Sequence, residues 1–249
     1  MRFAANISTL FAELDFPDRI DAASASGFDA VECQFPYQWN ADAIAGRLAR
    51  AGLAMELINA PVGGPGAFGL AALEGKEREF RETIRIAADY AATLKVPRIH
   101  ILAGRGPHCP ITFARNLEWA ACLLETCGLT ALIEPLNALD MPDYALTAMD
   151  DAVAILTSLA LPNLYLQLDL YHWQRQGYHA WEDLSPLVPL AAHVQFAAPA
   201  DRGEPGSEDI ELAARVVEAG YTGAIGCEYV PRGDTAAGLG WLRAARRRS

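Results

Sequence analysis

The sequence predicts an α/β fold of the (β/α)8 type, the eight-stranded TIM barrel. Eight short apolar runs alternate with longer amphipathic ones, and each strand-like run is followed by a helical one. Several short runs are rich in Val, Ile and Leu without polar alternation, which is typical of parallel strands buried on both faces. The length of 249 residues suits one such barrel. The number of runs favours a barrel over a doubly wound sheet, which at this size more often has about five to seven strands.

The elements follow one another from the N-terminus without a linker. The predicted strands are residues 3–7, 30–33, 54–58, 98–102, 131–134, 165–169, 193–196 and 224–228. The predicted helices are residues 16–26, 41–51, 76–94, 111–127, 147–159, 181–187, 208–219 and 235–246. Asn40 or Asp42 can cap the second helix, and Gly52 can end it. Because no low-complexity segment divides the chain, residues 1–249 are predicted to form a single domain.

Charge and composition exclude several classes of function. The chain has 20 Lys and Arg against 31 Asp and Glu, a net charge of −11, which opposes binding to nucleic acid or to an anionic membrane. The basic tail with Arg243, Arg246, Arg247 and Arg248 is interpreted as a solvated chain end. No apolar run approaches the ~20 residues of a membrane span, and the first residues lack the pattern of a signal peptide. The five cysteines have no metal-binding spacing, so we expect a cytoplasmic protein in a reducing compartment.

Polar side chains stand at the ends of four consecutive predicted strands. They are Glu134, Asp169, Gln195 and Glu228, separated by 35, 26 and 33 residues, each about one βα unit. In a barrel of this type the chemistry collects where strands end and βα loops begin. Any one of these residues alone fits a surface loop, but three carboxylates gathered at one mouth require a cation. Oxygen ligands of this kind suit Mg²⁺ or Mn²⁺, so the sequence predicts a divalent metal site.

Two further residues are predicted to bind substrate. His172 comes three residues after Asp169, above the same mouth, although a lone histidine is often a packed or capping residue. Arg202 lies in the loop after the seventh strand and can bind a carboxylate through its two-pronged guanidinium, although a surface ion pair would explain it equally simply. His193 is predicted to be structural, and His100 fits a hydrogen-bonded core position.

Short motifs along almost the whole chain, from Arg2 to about Trp241, resemble the hydroxypyruvate isomerase family of xylose-isomerase-like barrels. These motifs are Phe3-Ala4-Ala5-Asn6-Ile7-Ser8, Val31-Glu32-Cys33-Gln34-Phe35-Pro36-Tyr37, Ile133-Glu134-Pro135-Leu136-Asn137, Gln167-Leu168-Asp169-Leu170-Tyr171-His172, His193-Val194-Gln195, Arg202-Gly203-Glu204-Pro205-Gly206 and Gly226-Cys227-Glu228-Tyr229. The resemblance implies that Glu134 and Glu228 are the acid/base pair. It also implies divalent-metal ligation by Glu134, Asp169, Gln195 and Glu228. The implied reaction converts hydroxypyruvate into tartronate semialdehyde through an enediolate, the charge of which a metal ion would stabilise.

The 2-oxo-tetronate isomerases share the same skeleton and are the closest alternative. Gly69-Leu70-Ala71-Ala72-Leu73, Asp201-Arg202 and Gly238-Leu239-Gly240-Trp241 resemble that sister group. The loops at 61–70 and 197–212 depart from the hydroxypyruvate isomerase pattern, for example where Phe196-Ala197-Ala198 supplies no acid after Gln195. The substrate is therefore predicted only as a small hydroxy-keto acid or sugar, and a related keto-sugar isomerase or epimerase is also considered.

Two other functions fit this sequence less well. A family-two apurinic endonuclease uses the same barrel but needs a histidine-rich zinc cluster and contacts to DNA phosphates, which five histidines and a charge of −11 oppose. A non-catalytic sugar-binding barrel would explain the altered loops, but it would be expected to have lost a carboxylate. The aromatic residues Phe35, Tyr37 and Trp39 could form a lid over the site or a subunit contact, the latter giving a homo-oligomer.

Overall fold

Eight parallel strands close into a barrel in the computed structural model, which describes residues 1–246. The strands run in chain order round the barrel, with β1 pairing with β2 and with β8. They are β1 Phe3–Asn6, β2 Ala30–Cys33, β3 Ala54–Asn59, β4 Arg98–His100, β5 Thr130–Ile133, β6 Leu164–Asp169, β7 Ala191–Phe196 and β8 Ile225–Cys227. The predicted (β/α)8 barrel is confirmed. Residues 247–249 of the predicted domain 1–249, including the tail residues Arg247 and Arg248, lie outside the described residues.

Helices follow the strands and cover the outside of the barrel. They are α1 Phe16–Ala25, α2 Ala41–Ala51, α3 Glu77–Leu94, α4 Pro110–Thr126, α5 Met149–Leu159, α6 Leu170–Arg175, α7 Trp181–Leu184, α8 Ser207–Glu218, α9 Thr235–Gly238 and α10 Gly240–Arg246, with a 3₁₀ helix at Ser185–Leu190. Within the described part of the chain, no helix has the length and apolar character needed to cross a bilayer.

Local chemistry explains several of these boundaries. The Asn40 side chain accepts a hydrogen bond from the amide of Ala43 at the start of α2, and Gly52 ends that helix with a left-handed φ of 68°. The buried residues of α3, among them Phe80, Ile84 and Ala87, form one face of the helix. That face joins the main apolar core between the strands and the helices.

The helix predictions need three corrections. Helix α6, which follows β6 without a break, was not predicted, because six residues are too few for helical periodicity to be visible. The helix predicted at 181–187 ends at Leu184 and continues as a 3₁₀ helix that contains Pro186 and Pro189. The helix predicted at 235–246 is broken at Leu239, between two glycines of low helix propensity, Gly238 and Gly240.

The strand register brings the predicted residues to one end of the barrel. Asp169 pairs with Gln195, and Gln195 pairs with Gly226. Glu134 and Glu228 come directly after β5 and β8. A side chain at position 226 would clash with its neighbours, since a Cβ built on Gly226 would lie 2.3 Å from Oε2 of Glu32 and 2.7 Å from the side chain of Gln195. The barrel interior at this level is therefore occupied by polar side chains from neighbouring strands.

Candidate functional site

A cavity of about 60 Å³ opens at the carboxyl ends of the strands. Four of the six predicted site residues, Glu134, His172, Arg202 and Glu228, line it. The remaining lining residues are Gln34, Asn59, Phe68, His100, Leu102, Leu136 and Met141. Asp169 and Gln195 lie immediately beside it and are buried. All six predicted site residues are therefore brought together.

The two carboxylate oxygens of Asp169 differ, because one accepts a hydrogen bond from a backbone amide and the other does not. Its Oδ1 accepts a hydrogen bond of 2.9 Å from the amide of Tyr171 at the start of α6. Its Oδ2 is buried, has no hydrogen-bond partner in the described part of the chain, and lies 3.7 Å from Nη2 of Arg202. Burial raises the pKa of Asp169 to about 7, against the opposing effect of Arg202. A buried carboxylate oxygen without a partner is costly, which indicates a missing positive ligand.

Glu134 lies where few groups can donate to it. Its Oε2 accepts one hydrogen bond of 3.0 Å from Nε2 of Gln167 and lies 3.5 Å from Nδ1 of His100. Burial first, and then the charges of Asp169 and Glu228, raise its pKa well above the ordinary value. Glu134 is therefore the more weakly solvated of the two predicted acid/base glutamates.

Glu228 has a different environment, with two donors on each oxygen. Nε2 of Gln34 and Nη2 of Arg202 donate to Oε1 at 3.0 and 2.6 Å. Nδ2 of Asn6 and Nε2 of Gln195 donate to Oε2 at 2.9 and 2.8 Å. Burial raises its pKa above the ordinary value in spite of Arg202. The position of the carboxylate is fixed from both sides.

The amide of Gln195 has a defined orientation. Its Nε2 donates to Oε1 of Glu32 at 2.7 Å and also to Glu228. Its Oε1 accepts from Nε2 of Gln167 at 2.7 Å, the same nitrogen that donates to Glu134. The amide assignment follows from these partners, because an oxygen facing two carboxylates would be repelled. The oxygen of Gln195 therefore faces the Glu134 side of the site.

His172 is an oriented, uncharged imidazole. Its Nδ1 accepts a hydrogen bond of 3.0 Å from the amide of Asn137, so the ring proton lies on Nε2, which is 3.8 Å from Oδ2 of Asp169. Burial lowers its pKa to about 3. Because Nε2 carries the proton, His172 is suited to donating a hydrogen bond into the cavity.

Arg202 is brought over the carboxylates by the loop after β7. Its φ is +53°, its guanidinium lies 4.9 Å from the centre of the Tyr171 ring, and its backbone oxygen accepts from the amide of Val230. Arg232 holds the same loop through Asp201. The guanidinium thus faces both Glu228 and Asp169 at the cavity.

The donor set fits a divalent cation. Glu134, Asp169 and His172 each place one potential ligand atom within 4.8 Å of the others. Since the proton of His172 faces this group, the available donors are the carboxylate oxygens and the amide oxygen of Gln195. Buried carboxylates this close repel one another unless a positive charge lies between them, and oxygen donors of this kind prefer hard ions.

Sequence reasoning missed a layer of polar residues beneath the site. Glu32 is fully buried, and its Oε1 accepts from Asn6 and Gln195 while its Oε2 lies 2.6 Å from Nε2 of His193. Gln167 orients Gln195 from the other side. A polar residue inside an otherwise apolar strand, as in Ala30–Cys33 and Leu164–Asp169, was the available indication. His193 is buried within this hydrogen-bonded layer.

His100 is buried, as predicted, but none of the described residues forms the hydrogen bonds predicted for it. It also lines the cavity. Burial, and then the neighbouring His193, lowers its pKa to about 3. Asn59, which is paired with His100 across β3 and β4, lines the cavity beside it.

Comparison with known proteins agrees with this architecture. A family model described as xylose isomerase-like TIM barrel matches residues 20–245. The chain belongs to this family. It is 42% identical to the 2-oxo-tetronate isomerase of Cupriavidus necator, over 97% of each chain. It is 35% identical to the hydroxypyruvate isomerase of Escherichia coli K12, over 97% of this chain and 98% of that protein. Both relatives are isomerases by name, and the predicted isomerase class is confirmed.

A solved structure also covers the whole fold. The crystal structure described as AP endonuclease, family 2, from Brucella melitensis has a TM-score of 0.94 and 39% sequence identity, and it covers 98% of each chain. The barrel and its connections are therefore shared with that protein almost throughout.

Proposed function

We propose that this member of the family is a divalent-metal-dependent isomerase that interconverts hydroxypyruvate and tartronate semialdehyde. The observation that carries the proposal is the set of three buried carboxylates, Glu134, Asp169 and Glu228, beside one cavity of about 60 Å³. The identity to an isomerase of hydroxypyruvate supports this substrate class.

Glu134 and Glu228 are the proposed acid/base pair. One carboxylate removes a proton from C3 of hydroxypyruvate, and the electron pair forms a double bond to C2 while negative charge develops on the C2 oxygen. A proton is then delivered to C2, the C3 hydroxyl loses its proton, and the aldehyde forms at C3. The two glutamates follow β5 and β8, so they lie on different walls of the cavity and can serve neighbouring carbons.

The proposed ligands of the metal are Glu134, Asp169, Gln195 and Glu228, with Mg²⁺ or Mn²⁺ as the ion. The unpartnered Oδ2 of Asp169 and the orientation of the Gln195 oxygen support this set. A bound divalent ion would supply a Lewis acid for the negative charge of the enediolate. Gln167 and Glu32 hold the Gln195 amide from opposite sides, so its oxygen needs no rotation to serve as a ligand.

Arg202 and His172 are the proposed substrate-binding residues. Arg202 lines the cavity, and its guanidinium can donate two parallel hydrogen bonds to the substrate carboxylate. The Nε2–H group of His172 can donate a hydrogen bond to a substrate oxygen beside Asp169. Phe68 lines the same cavity. It belongs to the loop at 61–70 that departs from the hydroxypyruvate isomerase pattern, so a change in substrate preference could arise through this residue.

A 2-oxo-tetronate is the alternative substrate, favoured by the 42% identity to an isomerase of that name. The Brucella melitensis structure is described as an AP endonuclease, but an endonuclease activity has less support for this chain than an isomerase activity. The net charge of −11 and the carboxylates round the cavity would repel a phosphate backbone. A non-catalytic barrel is less well supported because both Glu134 and Glu228 are present.

The test is a coupled assay on purified protein loaded with Mg²⁺ or Mn²⁺, with hydroxypyruvate and 2-oxo-tetronates offered side by side. Turnover of hydroxypyruvate that disappears with EDTA and returns with metal would support the proposal. Turnover of the four-carbon acid alone would assign the protein to the sister activity. Absence of turnover of both acids by protein that demonstrably binds metal would overturn the proposal.

A further inference from the structure

His100 is exceptional among the three buried histidines of the described residues. Nε2 of His193 lies 2.6 Å from Glu32, and Nδ1 of His172 accepts from the amide of Asn137. Neither nitrogen of His100 has a partner, although its exposed fraction is only 1%. Its nearest charged atom, Oε2 of Glu134, is 3.5 Å from Nδ1. A buried imidazole without hydrogen bonds destabilises the fold, so its presence needs an explanation outside stability.

The position of His100 in the barrel supplies that explanation. Because the strands run in order round a closed barrel of eight, β4 lies across from β8 and β3 lies across from β7. His100 ends β4, and its register partner Asn59 ends β3. Arg202, which follows β7, is on the opposite wall of the same cavity. A small acid held by its carboxylate at Arg202 therefore extends its other end towards His100 and Asn59.

We propose that His100, with Asn59 beside it, binds the hydroxyl end of a three- or four-carbon hydroxy-keto acid. The ring nitrogens of an imidazole can donate a hydrogen bond to a hydroxyl group and accept one from it. The substrate hydroxyl then forms the hydrogen bond that none of the described residues forms with His100. This inference rests on the proposed function, since it takes the cavity as a substrate site, and it adds a determinant of substrate choice to it.

Comparison of hydroxypyruvate with pyruvate tests the proposal, because the two acids differ only in the C3 hydroxyl. Apparent dissociation constants are obtained from ligand-induced melting shifts in Mg²⁺ buffer, which report binding whether or not turnover occurs. The wild-type protein should bind hydroxypyruvate about three- to tenfold more tightly than pyruvate, the range of one neutral hydrogen bond. In His100→Leu this ratio should fall to near one, with the affinity for pyruvate unchanged.

Two more variants complete the experiment. His100→Asn keeps a donor and an acceptor and should restore part of the preference, whereas His108→Leu, the same exchange at an exposed loop histidine, should leave it intact. His100→Leu should also melt at a higher temperature than wild type without ligand, because it removes an unpartnered polar group. A ratio near one in wild type, or a wild-type ratio retained by His100→Leu, would overturn the role of His100 even if hydroxypyruvate is turned over. Failure of the wild-type protein to bind either acid would overturn the proposed function as well.

Discussion

The two glutamates with the same proposed role lie in contrasting regions of the molecule. Around Glu228, four donors from Asn6, Gln34, Gln195 and Arg202 fill both carboxylate oxygens. Around Glu134, one donor among the described residues, Nε2 of Gln167, reaches Oε2, and Leu102 and Leu136 line the same cavity. The first region fixes a carboxylate in place, whereas the second leaves its lone pairs open towards the cavity.

This difference shows that equivalent positions at strand ends do not give equivalent chemistry. The donors to Glu228 come from β7 and the loop after it on one side of β8, and from β1 and the segment after β2 on the other. Glu134 has β4 and β6 as neighbours, and these supply His100 at 3.5 Å and Gln167 at 3.0 Å. We therefore expect substitutions at the two glutamates to agree in their effect on turnover and to differ in their effect on stability.

The largest expected effect is on turnover. Glu134→Gln and Glu228→Gln should each lower kcat for hydroxypyruvate by about 10²- to 10⁴-fold, because either one removes a proton-transfer group. Steady-state kinetics with saturating Mn²⁺ measure the loss, and circular dichroism checks that the barrel is retained. Near-normal turnover in either variant would remove that glutamate from the acid/base pair.

The next largest effect is expected from the layer below Glu228. Glu32→Ala removes the acceptor that holds the amides of Asn6 and Gln195, and it should weaken Mn²⁺ binding by about 10- to 100-fold. Glu32→Gln keeps an acceptor oxygen and should lose less. Electron paramagnetic resonance titration of free Mn²⁺ gives both affinities. Glu56→Ala, which breaks an ion pair with Arg98 away from the site, is the control, and an equal loss of affinity there would argue against a positioning role for Glu32.

A smaller effect, different at the two glutamates, is expected for the free energy of unfolding. Glu228→Gln turns an amide NH₂ towards groups that already donate, and it should lower the free energy of unfolding by about 1–3 kcal/mol. Glu134→Gln keeps an acceptor for Gln167 and relieves repulsion from Asp169, so it should leave stability unchanged or raise it. Urea denaturation in the presence of EDTA measures both values. Equal losses in the two variants would contradict the contrast between the two regions.

The sequence was sufficient for the barrel and for the strand-end residues, because both depend on local pattern. Apolar runs mark the strands, and Glu134, Asp169 and Glu228 stand out where those runs stop. Glu32 and His100 could not be assigned in the same way, because their environments depend on side chains from other strands after closure. Glu32 lies 161 residues from His193 in the chain, and no local pattern reports that contact.

The smallest expected effect concerns the loop that carries Arg202. Arg232 makes a two-pronged ion pair with Asp201 and a further one with Glu204, which ties this loop to the segment after β8. Arg202 has a left-handed φ that is unfavourable for a side chain of its size, so the loop needs outside support to retain it. Arg232→Ala should therefore raise KM for hydroxypyruvate about two- to fivefold with little change in kcat, because exposed ion pairs contribute modestly and Arg232 touches no reacting group.

Arg246→Ala provides the matched control for that measurement. Arg246 is also an exposed arginine that pairs with an aspartate, Asp29. Asp29 directly precedes β2, so this ion pair lies at the other end of the barrel. Its removal should leave KM unchanged at the same ionic strength. If both arginine variants raise KM equally, the effect comes from net charge. If only Arg232→Ala does so, the position of Arg202 depends on an ion pair that lies outside the cavity.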